Sequence, residues 1–527
     1  MTSAPAPPRC DRSRDCRRVV GAPSCKIRLL LAFHIGCSLA TLSAAPQSGD
    51  GIRAGFAERD ITPEIGMREA HAVARKVFSS FDDPCKVRAA VFDDGHRKVA
   101  LIGLDTLMVP RAVVLEARTA IEKTCGIPPE AVMIGATHSH SSGPVGIVMP
   151  GQFDHAPEDV RRLAYEESSL ADLPYLKRLT DEIVEVTRLA SEQCVPAMLG
   201  FGFGHEDKVA FNRRQRLKNG QTWSHAGAMN PDIVDYAGPT DPQVGVLGAW
   251  DREGRLRGVL VNFACHATTN PGGISGNWPG MMEKVIQGAL GARVPVLFFT
   301  GASGDVTPKD NLSPFVRPNQ KEWMQFVGGR IGAEAVKVLL GMPRAADSVL
   351  DVRQRIWKIR RRAPAPERVA QARQIVAAGK SAGDAAWTFA RETLLLNYII
   401  SVEPEVEVEV QAVQVGPAVF VSNPAEYFVQ YGLDIKKGSP FPFTFPVTLA
   451  NGCVGYVPTE EAFGPNGGGY ETRLTFYSNL EITAGRQFAD TGIALARQMT
   501  PGPRPEPPKI AAPGGPWPYG NVSPQLR

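Results

Sequence analysis

An α/β body with mixed sheets is predicted by three features of this sequence. Short apolar, β-prone runs alternate with longer segments of helical spacing, the logic of strand–helix–strand units. Two turn signals, Asp93-Asp94-Gly95 and Asp251-Arg252-Glu253-Gly254, punctuate the strands as hairpins. Histidine-bearing segments rich in Gly and Ser follow two of the apolar runs, which places a site at strand ends. Together they predict one large domain over residues 46–500.

Its elements read in order. Gly55 to Ile61 is a strand stopped by Thr62-Pro63; Lys86 to Phe92 and Val99 to Leu104 flank the first hairpin. Arg111 to Lys123 is helical, and Ala131-Val132-Met133-Ile134 is the strand after it. Tyr175 to Glu192 spaces Leu, Ile and Val as a helix does. Val244 to Ala249 pairs with Arg257 to Phe263; Met281 to Leu290 is helical and Val294 to Phe299 a buried strand. Pro364 to Tyr398 is rich in helix, broken near Gly379 and Gly383, its Trp387, Phe389 and Leu394-Leu395-Leu396 fitting a core better than a lid. Val406 to Val415 alternates Val with Glu or Gln, the pattern of a half-exposed strand, beside a buried Ala418 to Val421. Residues 501–527 form a Pro-rich tail, expected to be extended.

Charge excludes one class of partner. The formal charge is +4, but residues 1–28 alone carry seven basic residues against two aspartates, so the rest of the chain is close to neutral. No basic stripe remains to bind nucleic acid. The basic leader runs into Leu29-Leu30-Leu31-Ala32-Phe33, and Ser43-Ala44-Ala45 follows, so residues 1–45 read as a secretory signal. The protein is therefore expected to be secreted or periplasmic, with no integral membrane span in the mature chain. Cys85, Cys125, Cys194, Cys265 and Cys453 are too few and scattered for a disulfide framework, though one bridge is possible.

The chemistry centres on histidine. Thr137-His138-Ser139-His140 and Cys265-His266-Ala267 hold three of nine histidines. On an extended backbone His138 and His140 would leave the same face. Paired histidines also occur on polar surfaces, but a third at another strand end favours imidazole ligation of a metal, zinc above all. Glu426, in Asn423-Pro424-Ala425-Glu426, could add an oxygen ligand; alone it would read as a solvated loop acid. Gly301-Ala302-Ser303-Gly304-Asp305-Val306-Thr307 follows a strand, and its glycines would permit positive φ and an amide cradle for an anion. Asn451 to Glu471 is a glycine-rich loop containing Tyr456 and Tyr470.

These segments together resemble the catalytic region of the neutral/alkaline (non-lysosomal) ceramidase family. The resemblance runs from Ala54-Gly55-Phe56-Ala57-Glu58-Arg59-Asp60-Ile61-Thr62-Pro63 through the three segments above. It ends in Asn423 to Phe428 and Gly455 to Glu471. It implies a zinc amidohydrolase that splits an N-acyl bond, in ceramidases giving sphingosine and a fatty acid, through a zinc-activated water. By motif, His138, His266, Glu426 and Tyr456 would ligate zinc, while His140 and Tyr470 would contact the carbonyl and its developing oxyanion. Arg213 would face the substrate, and Asp305 and Thr307 would act from the loop where the family has a serine at the position of Thr307. The family's immunoglobulin-like C-terminal domain is not expected here. Partners would be a lipid or small N-acyl substrate. Other acyl esters, lactones or acylated amino compounds remain alternatives, as does a non-catalytic binding protein; oligomeric state is left open.

Overall fold

Two halves of one curved sheet stack on each other, and helices cover both outer faces. The computed structural model describes residues 51–527 apart from 71–75, 292, 347, 380–384, 512–513 and 521. The expected signal segment lies outside the described residues, as does Gly383. The first half comprises β1 (Arg53–Asp60), β2 (Lys86–Asp93), β3 (Lys98–Leu104) and β4 (Val132–Ala136). The second comprises β5 (Val195–His205), β6 (Gln243–Asp251), β7 (Leu256–Phe263) and β8 (Val296–Thr300). The order across the whole is β8-β7-β6-β5-β1-β2-β3-β4, joined in the middle by only Arg53↔Pro196 and Ala54↔Val195. That short seam lets the sheet fold over.

Side-chain period fixes which face goes where. Leu247, Leu260, Leu297 and Phe299 join the core shared with the first half, while their neighbours Val246, Val259, Val261 and Phe298 face the second core. Helices α1 (Arg111–Cys125) and α3 (Leu173–Glu192) close the first half; α2 (Glu158–Tyr165) lies between them in sequence. Helices α4 (Asn277–Leu290) and α5 (Gln320–Gly341) close the second. The chain therefore builds the α/β body that its alternating pattern predicts.

A second sheet, β9 (Leu350–Arg360), β10 (Glu405–Val415), β11 (Ala418–Ser422) and β12 (Phe443–Val447), runs in that order. Helices α6 (Pro366–Ala377) and α7 (Ala385–Val402) interrupt it, and α8 (Val429–Gly438) and α9 (Ala484–Arg497) pack on it. Here one expectation fails. β10 is buried from Val408 onward, Glu409, Gln411 and Gln414 included. From Glu409 onward the polar side is not solvated. Glu409 accepts from Arg118 at 2.8 and 2.9 Å and from Asn451 at 3.0 Å, and Gln411 takes the other amide hydrogen of Asn451 at 2.8 Å. A period-two pattern cannot distinguish water from a buried ionic network, because both satisfy the same polar atoms.

Three pairs in these sheets are parallel: β3–β4, β7–β8 and β11–β12. Ligand sites in such arrangements gather beyond the carboxyl ends of the strands. Beyond β4 comes His138, beyond β7 His266, beyond β8 the Gly301–Thr307 loop and beyond β11 Glu426. All five cysteines of residues 51–527 are free, so no bridge forms among them. Regular structure ends with α9, and the described part of the tail has none.

Candidate metal centre

His138, His140 and His266 converge so that one ring nitrogen from each lies within 4.8 Å of the others. The route differs from the one expected. His138 sits two residues past the end of β4 with φ +62°, a left-handed conformation, so the extended-backbone argument for His138 and His140 does not apply. The turn still aims both rings inward, with Nε2 to Nε2 at 3.3 Å.

Backbone carbonyls set the tautomers. Nδ1 of His138 donates to the carbonyl of Leu107 at 2.7 Å. Nδ1 of His266 donates to the carbonyls of Ser303 at 2.7 Å and Val306 at 3.0 Å. A carbonyl only accepts, so each Nδ1 carries the hydrogen and each Nε2 points inward. Both meet the same oxygen: Oε2 of Glu426 lies 3.3 Å from Nε2 of His138 and 3.1 Å from Nε2 of His266. All three side chains are buried.

The charges follow from that arrangement. Burial raises the Glu426 carboxyl, but its interactions with His138 and His266 outweigh that and hold it well below the usual carboxylate range. Burial, and then the Arg213 guanidinium, push His266 down to about 4. A carboxylate anion facing imidazole nitrogens needs positive charge between them. A shared proton supplies it in part; a divalent cation fits the donor set of two or three imidazoles and one carboxylate.

Around this cluster the remaining sequence candidates fall into place unequally. Tyr456 is the direct backbone partner of Glu426 in a short parallel pair, Glu426–Tyr427 with Tyr456–Val457. Its hydroxyl lies 3.0 Å from that of Tyr470. Arg213 donates Nη1 toward Nε2 of His266 at 3.1 Å, and its Cζ lies 5.3 Å from the Tyr456 ring centre and 5.0 Å from that of Tyr470. Asp305 instead serves its loop. Its carboxylate accepts from the Asn212 side chain and the Val429 amide, each at 2.8 Å, and its carbonyl accepts from the Arg213 amide. Thr307 is buried on a two-residue strand paired with Phe211, next to the Val306 carbonyl that holds His266.

The amide cradle expected of the glycine loop is not formed. The Gly301 amide donates to Phe263 and the Gly304 amide to Tyr427, so neither faces a ligand. Neither glycine has positive φ. Gly304 is needed for closeness: a Cβ there would lie 2.5 Å from the Glu426 carbonyl oxygen.

Two residues were missed. Tyr477 donates its hydroxyl to Oε1 of Glu426 at 2.8 Å. Glu471 is fully buried and accepts from Nε of Arg213 at 2.7 Å, as well as from the Ser224 hydroxyl. For Glu471 the only sequence signal is its position beside Tyr470.

An apolar cavity of about 210 Å³ adjoins the tyrosines, lined by Ile147, Val148, Phe389 and Phe476 along with Tyr456, Tyr470 and Tyr477. Helix α7 takes the core role expected of it and also contributes to the cavity wall. Trp387, Leu394 and Leu395 pack in a core, while Phe389 walls the cavity.

The fold and site define a mixed α/β protein with a buried histidine–carboxylate centre, suited to a metal, at the carboxyl ends of its parallel strands. No family model matches the chain. Over 329 residues it is 27% identical to the neutral ceramidase of Pseudomonas aeruginosa, covering 58% of this chain. That alignment spans 45% of the curated relative's length. The fold superposes on the crystal structure of neutral ceramidase from Pseudomonas aeruginosa with a TM-score of 0.64 at 20% identity, covering 87% of this chain and 76% of that one. A ceramidase complexed with C2 gives 0.63 at 19%, covering 88% and 77%. The resemblance to the catalytic region of the neutral ceramidase family, first read from the sequence segments, is borne out.

Proposed function

We propose that this chain is a zinc-dependent amidohydrolase that cleaves an N-acyl bond of ceramide type. The observation that carries the reading is the convergence of two carbonyl-anchored histidines on one carboxylate oxygen of Glu426, beside an apolar cavity. His138, His266 and Glu426 would hold the metal, with Tyr456 completing the set. When bound, zinc supplies Lewis-acid polarisation and a water that ionises near neutral pH. The cavity would take an acyl chain. Tyr470 and His140 would donate to the carbonyl oxygen as charge develops on it, a contribution of about 2.7–4 kcal/mol for one well-placed donor. Arg213, held by Glu471 and the Gly304 carbonyl, would orient that end of the substrate.

The test is metal analysis of the purified protein together with hydrolysis of matched N-acyl and O-acyl substrates. One zinc per chain and faster N-acyl cleavage are expected. A metal-free protein whose activity does not respond to added zinc would refute the reading, and faster O-acyl cleavage would move it to an esterase.

We also propose that residues 46–500 are the catalytic domain and that export follows cleavage near residue 45. Among the described residues no helix is long and apolar enough to cross a membrane. The N-terminal sequence of the protein recovered outside the cell tests the cleavage.

A further inference from the structure

Three guanidinium groups are fastened to residues in or beside the wall of the apolar cavity, whose own charged lining residues, Arg391 and Glu392, pair with each other at 2.8 Å. Arg473 lies over the ring of Phe389, its Cζ 3.5 Å from the ring centre, and Phe389 is a wall of the cavity. Arg368, on α6, donates Nη2 to the carbonyl of Leu474 at 2.9 Å. Arg362 donates Nη2 to the carbonyl of cavity-lining Ser478 at 3.2 Å and Nε to that of Leu480 at 2.8 Å. All three therefore belong to or are fastened to one segment, 473–480, in which Thr475, Phe476, Tyr477 and Ser478 line the cavity.

Their charges act on one another. Burial, and then the charge of Arg368, bring Arg362 down to about 10, and the same two causes lower Arg473. No carboxylate lies within ion-pair distance of the three among the described residues. Other arginines are treated differently: the adjacent Arg361 pairs with Glu403 at 3.2 Å, and Arg118, on α1, with Glu409 at 2.8 Å. Clustered like charges destabilise a fold by self-repulsion, and they attract an anion of matching geometry. Guanidinium groups already packed on an aromatic ring and on backbone carbonyls lose little further freedom on binding.

We propose that Arg362, Arg368 and Arg473 bind the anionic head group of an amphiphile whose acyl chain occupies the cavity. The substrate class is then an N-acyl compound with a carboxylate, sulfate or phosphate on the amine side of the amide. This deepens the amidohydrolase reading and rests on it for the position of the scissile bond. Arg473 is three residues from Tyr470, so the same short segment presents the anion-binding group and the carbonyl-facing hydroxyl.

The experiment compares N-dodecanoylglycine with its neutral glycinamide counterpart, both as soluble monomers, by hydrolysis and by calorimetric binding. The wild-type protein should favour the carboxylate by about tenfold or more in kcat/KM and in affinity, the scale of one charge-assisted contact set. An Arg368→Gln/Arg473→Gln variant should lose that preference while cleaving the glycinamide as before, and Arg368→Lys/Arg473→Lys should restore part of it. Equal handling of the two compounds by the wild type, or an unchanged ratio in the Gln variant, overturns the proposal. Arginine-dependent binding of the carboxylate with no hydrolysis of either compound would support the anion site and sink the amidohydrolase reading instead. A third arm uses vesicles of phosphatidylcholine with and without phosphatidylglycerol. If the variants change binding only to the anionic vesicles, the anion belongs to the lipid surface, and a head group on the cavity's occupant is ruled out.

Discussion

The hydroxyl of Tyr477 donates to Oε1 of Glu426 over 2.8 Å, while Oε2 of the same carboxylate faces His138 and His266. One oxygen is held by the protein so that the other can serve the site. Groups that orient a metal-binding carboxylate typically change metal affinity by about 10–100-fold when removed. Tyr477→Phe deletes only the hydroxyl, so the ring contact with Tyr456 at 5.6 Å persists. We expect that variant to fold normally and to bind zinc about 10–100-fold more weakly, measured by competition with a chelator. Unchanged affinity would show that Glu426 needs no such brace.

Tyr477 carries no local signal in the sequence. Strands, hairpins and strand-end histidines were legible because hydrophobic period and turn residues are local signals. Glu426 and Tyr456 were legible only as members of motifs. The Tyr477–Glu426 bond joins positions 51 apart with no pattern between them, so nothing local marks it. The buried Glu409 network misled for a related reason, since its partners Arg118 and Asn451 come from other elements. The left-handed turn at His138 was also unmarked, as the residue that adopts it is a histidine and not the glycine that usually announces such a conformation.

Removing a histidine separates ligand from donor. His266→Ala leaves Glu426 facing His138 alone and should abolish tight zinc binding while the protein remains folded by circular dichroism. His140→Ala is expected to keep zinc and lose much of kcat, the pattern of a group used mainly in the transition state. Loss of metal from the His140 variant would place that ring among the ligands, as its 3.3 Å approach to His138 allows.

Acid should weaken the metal-free protein. His266 falls to about 4 in the folded state, against about 6.5 when unfolded. Between those values the unfolded chain binds the extra proton, so stability is fully present above about pH 6.5 and is lost as pH drops toward 4. Glu426, also depressed, has the same sign: its contribution is present above the unfolded carboxylate value and lost as pH falls through the folded one. Urea denaturation of chelator-treated protein should therefore give lower stability at pH 5 than at pH 7, and His266→Gln should reduce the difference. A flat profile would contradict the buried, neutral state of His266.

Thr307 provides the sharpest test of how the amide bond is attacked. A hydroxyl nucleophile needs a base within hydrogen-bond reach. The nearest carboxylate in sequence, Asp305, is committed to Asn212 and the Val429 amide, and the nearby His266 is fixed with its Nδ1 hydrogen on Ser303 and Val306. Neither is placed to take a proton from Thr307. We therefore expect water to be the nucleophile and Thr307 to shape the loop that holds His266. Thr307→Ser should keep most of the activity, because the hydroxyl and the backbone pairing to Phe211 both survive. Thr307→Val, nearly isosteric but lacking the hydroxyl, should slow turnover without abolishing it. Mass spectrometry of the protein quenched during turnover should find no acyl group on Thr307; a covalent adduct there, absent from the Val variant, would make threonine the nucleophile and water only the second reactant.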